Sequence, residues 1–350
     1  MTEKRKAVVL LVPGFPANEQ DTTCIPFLQQ FCKGFITVSP EVELRIISFQ
    51  YPYKKGHYAW NGIEVYAAAG KGNKLNRITT WLRVFKEFSQ IRKENDVVII
   101  NSFWMTECAF VGQWLSRFFK IKHVVYIAGQ DALKTNRYLP FINFKNIKII
   151  AMSENLVNEF YKSTAVKIEH IIPSGIDTSK LKPTNEKRSI DILGVGALTQ
   201  LKNYLLFAEI IKELKIDFPE IKACIIGKGE QGQTLMDYIS NNNLENNLTL
   251  TGELSHTEVF TYMQKSKLFL HTSGYEGQST VIMEALANGL TVVCFDIGRA
   301  HVEGKIWPCK NKEEMIEKLK ELMAGKLTFE PFIQSTNMQM ASAFLKVYEI

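Results

Sequence analysis

Glu276-Gly277-Gln278-Ser279-Thr280-Val281-Ile282-Met283-Glu284 places a carboxylate at each end of a stretch that changes character half-way along. Before it, Leu268-Phe269-Leu270 is a short apolar run that reads as a strand, and residues 272–277 are polar and turn-like. Within it, Ser279 or Thr280 is of a type that caps a helix; Asn288-Gly289 stops that helix, and residues 290–295 read as the next strand. Gly277 to Thr280 therefore lie between the carboxyl end of a strand and the amino end of a helix. The unpaired backbone N–H groups and positive pole at such an end attract phosphate. Two glutamates at this spacing arise about once by chance in a chain of this length, so the setting gives the pair its weight.

The same alternation extends over nearly the whole chain. Residues 7–12, 43–48, 97–101, 123–128 and 148–152 read as strands of a first series, and 190–195, 222–226, 248–251, 268–272 and 291–295 as a second, with helical segments between most of them. This is the pattern of open, mostly parallel sheets covered on both faces. Pro173, Gly175 and the polar stretch that follows separate the series. The expected fold class is α/β, with a Rossmann-like first domain over 1–172, a linker over 173–186 and a second Rossmann-like domain over 187–330. A final helix, about 334–350, is expected to cross back to the first domain. Ligands of such sheets bind outside the carboxyl ends of the strands.

A chain of 350 residues with 46% hydrophobic content is long enough for two cores. No apolar run approaches a bilayer span, and residues 1–6 lead directly into a strand-like run, which suits a cytoplasmic protein. Six scattered cysteines show neither a C-x-x-C pair nor a histidine at metal spacing, so they read as buried thiols. The net charge of +6 is unevenly spread: residues 1–170 carry +9 and the remainder −3. An excess of that sign suits an anionic membrane surface, nucleic acid or an acidic acceptor, or solubility alone. Within it, Leu75, Ile78, Leu82, Phe85 and Phe88 recur at helical spacing and read as a core-facing stripe, while the segment 114–123 is the better interfacial candidate of the two but reads first as a helix end packed on a sheet.

Four ordered motifs between residues 172 and 287 make the reading more specific: Ile-Pro-Ser-Gly-Ile-Asp from 172, Gly-Val-Gly-Ala-Leu-Thr-Gln-Leu-Lys-Asn from 194, Ile-Ile-Gly-Lys-Gly-Glu from 225, and Glu276 with Glu284. In this order they resemble the second domain of retaining glycosyltransferases of family 4, which have the GT-B fold of two doubly wound domains facing each other across a cleft. The first domain resembles the family more loosely, through Gly14 and Gly129-Gln130-Asp131.

The resemblance implies a donor site. Lys202, after a strand and the Gly194-Val195-Gly196 turn, would meet a diphosphate; one such pair is worth roughly 4 kcal/mol before desolvation, and the plain alternative is a solvated loop lysine. Gly227 and Gly229 match a glycine-rich loop near the nucleotide base, although a tight turn would serve as well. Glu284 would accept hydrogen bonds from ribose hydroxyls, or simply sit in its helix. Glu276 would steer the sugar, and the backbone of Gln278, Ser279 and Thr280 would receive the leaving diphosphate. Gly14 and Gly196 would admit phosphate close to the backbone. Glu276, Lys202 and Asp131 are the catalytic candidates, and Ser102, Trp104, Glu107 and Gln130 border the acceptor side. The family's usual arginine is replaced by Ala197, and a frequent histidine by Ala128.

Two carboxylates would also suit a hydrolase, but the resemblance assigns both to binding. No Asp-x-Asp occurs, and no metal or other cofactor is expected to be obligatory. The expected function is a retaining transfer of a hexose-type sugar from a UDP- or GDP-linked donor to a glycan or lipid-linked acceptor. The first domain would touch the inner membrane face, and nucleic acid is not an expected partner. Alternatives are a GT-B phosphorylase acting on a sugar phosphate and a non-catalytic sugar-nucleotide binding protein. A nicotinamide-dependent enzyme is disfavoured because no Gly-x-Gly-x-x-Gly follows a strand.

Overall fold

The computed structural model describes residues 4–181, 187–296 and 302–350. The chain forms two compact units, Met1–Gly175 with Ser335–Ile350, and Ile176–Gln334. The boundary falls between Gly175 and Ile176, so the residues read as linker from 176 onward belong to the second unit, and 182–186 lie outside the described residues. Among the described residues no helix is long and apolar enough to cross a membrane.

The first unit runs β1 (Lys6–Gly14), α1 (Pro26–Val38), β2 (Glu43–Tyr51), β3 (Gly56–Trp60), β4 (Ile63–Ala67), α2 (Arg77–Glu94), β5 (Asp96–Phe103), α3 (Glu107–Phe119), β6 (Lys122–Ile127), β7 (Ile147–Ala151), α4 (Glu154–Thr164) and β8 (His170–Ile171). The sheet order is β3-β4-β2-β1-β5-β6-β7-β8, parallel except for the β3–β4 hairpin. That hairpin was absent from the strand series expected above, although Asn61-Gly62 is a strong short-range hairpin signal. Both residues have positive φ, 46° and 79°, as a tight two-residue turn requires. Along β1, Val8, Leu10 and Val12 enter one core, while Ala7, Val9 and Leu11 enter the core on the opposite face. This period of two on a strand covered on both sides explains its unbroken apolar run.

The last helix, α10 (Asn337–Tyr348), belongs to this unit. It starts on a capping box between Thr336 and Gln339. Phe344 reaches Phe31 at 4.7 Å between ring centroids and stacks on Phe103 at 6.1 Å. A Cβ at Gly34 would lie 2.2 Å from the Asn337 carbonyl oxygen, so only glycine lets α1 approach the start of α10 this closely.

The stripe read as the core face of α2 holds for Phe85 and Phe88, which pack in the core, and is corrected for its other members. Thr80, Val84, Phe88 and Ile91 are buried, whereas Leu75, Ile78 and Leu82 are 89%, 68% and 64% exposed. Glu87 lies 3.4 Å from His57 on β3, and Glu94 lies 3.6 Å from Arg45 on β2. These contacts lie on the side of α2 away from Ile78 and Leu82, which face outward.

The second unit runs β9 (Ile190–Val195), α5 (Tyr204–Asp217), β10 (Ala223–Ile226), α6 (Gly232–Asn241), β11 (Leu248–Leu250), α7 (His256–Gln264), β12 (Ser266–His271), α8 (Thr280–Ala287), β13 (Thr291–Phe295), β14 (Ile306–Cys309) and α9 (Lys312–Ala324). All pairs in its sheet are parallel, and the order is β11-β10-β9-β12-β13-β14. This is the doubly wound dinucleotide-fold order, with cores on both faces. The order reverses between β9 and β12, the position where such sheets open to ligands. β14 escaped the expected strand series because it contains Pro308, which is tolerated at a sheet edge.

Candidate functional site

At this reversal point two loops are stitched together through backbone carbonyls. The Leu201 carbonyl accepts from the Gly274 N–H at 3.0 Å, and the Lys202 carbonyl from Thr272 Oγ1 at 2.9 Å. The loop after β9 is thereby fixed against the loop after β12, and Lys202 Nζ meets Glu276 Oε1 in an ion pair. His271, the last residue of β12, is buried beneath it. Its Nδ1 accepts the Ser273 N–H at 3.2 Å, which puts the ring proton on Nε2. That Nε2 lies 2.8 Å from Ser279 Oγ and 3.2 Å from Glu276 Oε1.

The charges follow from these contacts. Burial works to raise the Glu276 carboxyl, but the His271 hydrogen bond and the Lys202 ammonium prevail and hold it down at about 2. Burial pushes the His271 ring below its ordinary value against the pull of Glu276, so the imidazole is neutral near pH 7. Burial, helped by Glu276, pushes the Tyr204 phenol up. Ser279 is the N-cap residue of α8 by position, yet its side chain makes no cap hydrogen bond. Ser279 thus takes one of the two expected cap positions, but its hydroxyl faces His271 instead of the helix.

Gly277 and Gln278 complete the loop, and Thr280 is the first residue of α8. Glu284 is buried in α8, with Oε1 2.7 Å from Nε2 of His256 at the start of α7. His256 in turn meets the edge of Phe260 at 4.8 Å. The glycine-rich loop has an internal reason for its composition. At Gly227, with φ of 153°, a Cβ would lie 1.9 Å from the Gly196 carbonyl oxygen, and at Gly229 2.4 Å from that of Leu198. Leu198 N–H donates to the Lys228 carbonyl at 3.0 Å. These glycines thus seat one loop on the other, and Ala197 between them is exposed.

The first-unit candidates separate. Gly14 ends β1 beside Tyr51 on β2. Trp104, Gln130 and Asp131 line a pocket of about 460 Å³ with Thr106, Thr135 and Asn136. Trp104 holds φ at 69°, uncommon for a bulky residue, and its N–H donates to the Tyr126 carbonyl at 2.8 Å. Gln130 is exposed. Asp131 is buried, and both its oxygens serve the backbone: Oδ2 accepts from Met105 at 2.8 Å, Oδ1 from Gly129 at 2.8 Å and Ala128 at 3.2 Å. Burial pushes its carboxyl up against those hydrogen bonds.

Ser102 and Glu107 do not border an open edge. Ser102 is fully buried, with Oγ 2.8 Å from His123 Nε2. Glu107 is taken up by Gln50 and by Trp81 Nε1 at 3.3 Å. Their places, Ser102 near the end of β5 and Glu107 at the start of α3, suggest access, but their side chains turn into the interior. Conversely, His271 and His256 were not singled out, because no spacing rule ties a strand-end histidine to a serine eight residues on or a helix-start histidine to a distant glutamate. Among the described residues, no three or more His, Cys, Asp or Glu side chains are grouped to hold a metal ion.

Residues 176–337, which span the second unit, match the family described as glycosyl transferases group 1. Over this range the second unit is similar to the glycosyltransferase domain of that family. An uncharacterized glycosyltransferase of Methanocaldococcus jannaschii is 25% identical over 282 residues, 73% of this chain and 69% of the relative. A Campylobacter jejuni enzyme, the N-acetylgalactosamine-N,N'-diacetylbacillosaminyl-diphospho-undecaprenol 4-alpha-N-acetylgalactosaminyltransferase, is 36% identical over 186 residues, 49% of this chain and 48% of that one. The chain thus spans about two thirds of the first relative and about half of the second. Sucrose-phosphate synthase from Thermosynechococcus elongatus superposes with a TM-score of 0.73 at 14% identity, covering 99% of this chain and 94% of that one. This similarity shows the fold, GT-B with two Rossmann-like α/β domains. With the glycosyltransferase domain and its named relatives, the chain is a transferase enzyme.

Proposed function

We propose that the protein moves a hexose-type sugar from a UDP- or GDP-linked donor to a glycan or lipid-linked acceptor, retaining the anomeric configuration. The observation that carries this reading is the Lys202–Glu276 pair at the reversal point of the sheet, held by exchangeable side chains before the amino end of α8. A diphosphate arriving there takes the Lys202 ammonium for itself and lies at the positive pole of α8. Glu276, relieved of its cation and still fixed by His271, accepts hydroxyls of the sugar. Glu284, aligned by His256, accepts the ribose hydroxyls.

In the transfer, the bond from the anomeric carbon to the diphosphate oxygen breaks as the bond to the acceptor oxygen forms on the same sugar face. The departing phosphate takes the acceptor's proton. Stabilising the departing charge, rather than supplying a side-chain base, is what this chemistry needs. No metal is required in this scheme, so chelation by EDTA should leave transfer unchanged. The named acceptor of the Campylobacter relative, a diphospho-undecaprenol saccharide, supports a lipid-linked acceptor. The +9 excess in residues 1–170 supports work at the cytoplasmic face of a membrane.

The division of labour is testable. Glu284→Ala should weaken affinity for the free nucleoside diphosphate about tenfold, while Glu276→Ala should leave that affinity and lower transfer. Equal losses of free-nucleotide affinity in both variants would refute the assignment. The exposed Ala197, without a guanidinium for phosphate, favours one second reading, a protein that binds donor without using it. Donor binding with neither transfer nor slow donor hydrolysis would decide for it.

A further inference from the structure

The apolar stripe of α2 that faces outward has neighbours of the same character. On α3, Trp114 and Phe118, one turn apart, are 49% and 75% exposed. α2 and α3 meet through Trp81 and Phe110, whose rings lie 5.1 Å apart, so their outward rows are adjacent. At this seam Tyr138 lies 6.2 Å from Phe110, and Phe141, 66% exposed, is anchored by its carbonyl, which accepts from Gln113 Nε2 at 2.8 Å. Arg77 and Arg137 join Trp81, Phe110, Tyr138 and Phe141 around a groove of about 460 Å³.

The charges of this face have one sign. Lys86 and Lys93 are exposed and follow Leu82 by four and eleven residues, on the same side of α2. Arg117 lies 5.9 Å from the Trp114 ring and Arg92 4.4 Å from the Phe119 ring. The acids Glu87 and Glu94 of α2 lie on its other side, against His57 and Arg45, and Glu107 is buried under Trp81 and Gln50. An apolar, aromatic-rich surface rimmed by cations fits the boundary between lipid headgroups and acyl chains. Pairing with a second copy would bring like charges together.

We propose that this face docks on an anionic lipid bilayer, with Ile78, Leu82, Trp114, Phe118 and Phe141 entering the headgroup boundary and Arg77 and Arg137 taking lipid phosphate at the groove. The inference rests on the membrane-facing acceptor reading above and gives it a surface. It is tested by floating the intact protein with phosphatidylcholine vesicles with and without phosphatidylglycerol. Wild type should float only with the anionic vesicles, and less at high salt. Arg77→Gln with Arg137→Gln should weaken binding roughly thirtyfold, the loss expected for two basic residues at an anionic surface. Ile78→Ser with Leu82→Ser should weaken it at least tenfold while circular dichroism stays unchanged.

Failure of wild type to float, or variants that float as well as wild type, would overturn the proposal. So would displacement by inorganic phosphate at matched ionic strength, which assigns the groove to a free ion. Self-association that Leu82→Ser abolishes would instead make the face a protein interface. Nucleoside diphosphate binding is measured in parallel without vesicles. Intact nucleotide binding with no flotation sinks this inference alone, and flotation without nucleotide binding sinks the transferase reading alone.

Discussion

Each unit carries a carboxylate in a loop that follows a sheet strand, and the two are held in opposite ways. Asp131, after β6, gives both oxygens to backbone N–H groups of Ala128, Gly129 and Met105. Glu276, after β12, is held by the side chains of Lys202 and His271. A carboxylate bound to backbone amides of its own loop and of the neighbouring one cannot release them without undoing both. One bound to a lysine can exchange that cation for a ligand at the cost of a side-chain rotation. The difference teaches that an acidic residue at a strand end is a structural brace or a ligand group according to what its oxygens already hold.

The contrast can be broken first at Lys202. Lys202→Ala should lower transfer by about a hundredfold to a thousandfold, the usual consequence of removing a group that stabilises departing charge, with little change in thermal stability. A large loss of stability with unchanged turnover would make Lys202–Glu276 the brace instead. Next, Asp131→Ala leaves three backbone donors without their acceptor and should cost about 3 kcal/mol in denaturant unfolding. A variant as stable as wild type would break the contrast from the other side.

A smaller effect is expected at His271. His271→Ala should lower kcat about tenfold, equivalent to about 1.4 kcal/mol, with donor KM little changed, and His271→Gln should recover part of it. A role confined to packing would leave kcat/KM intact once the protein is folded. A pH-dependent effect is expected in acid. Glu276 is held from its ordinary 4.5 down to about 2, so its stabilising contribution is complete above about 4.5 and disappears as pH falls toward about 2. The stability gap between wild type and Glu276→Gln should shrink over that window. Asp131 moves the other way: its carboxyl is raised, so protonation in acid favours the folded state. Asp131→Asn should therefore show no acid-induced loss of a benefit, only the absence of a gain.

Much of this arrangement was legible in the residues alone. Alternating apolar runs separated by helical segments define both sheets because strands covered on two faces need continuous apolar stretches, as in β1. The loop from Gly277 to Thr280 was legible because a strand, a polar turn and a helix start each leave local marks. What escaped depends on contacts between distant segments. The outward turn of Ile78 and Leu82 follows from the burial of Val84, Phe88 and Ile91, a second apolar row at helical spacing that takes the core face. Ser102 lies near the end of β5 and Glu107 at the start of α3, yet their side chains find partners in His123, Gln50 and Trp81 inside the unit. Asn61-Gly62 did carry a local turn signal, and β3 and β4 follow from it.

The most direct test of whether the Lys202–Glu276 pair is an exchangeable donor site is calorimetric titration of the protein with UDP, GDP, ADP and the corresponding nucleosides, repeated on Lys202→Ala. One nucleoside diphosphate should bind wild type, and Lys202→Ala should lose its affinity for that diphosphate at least tenfold more than for the matching nucleoside. No binding to any nucleoside diphosphate, or equal affinity in both proteins, would contradict the site.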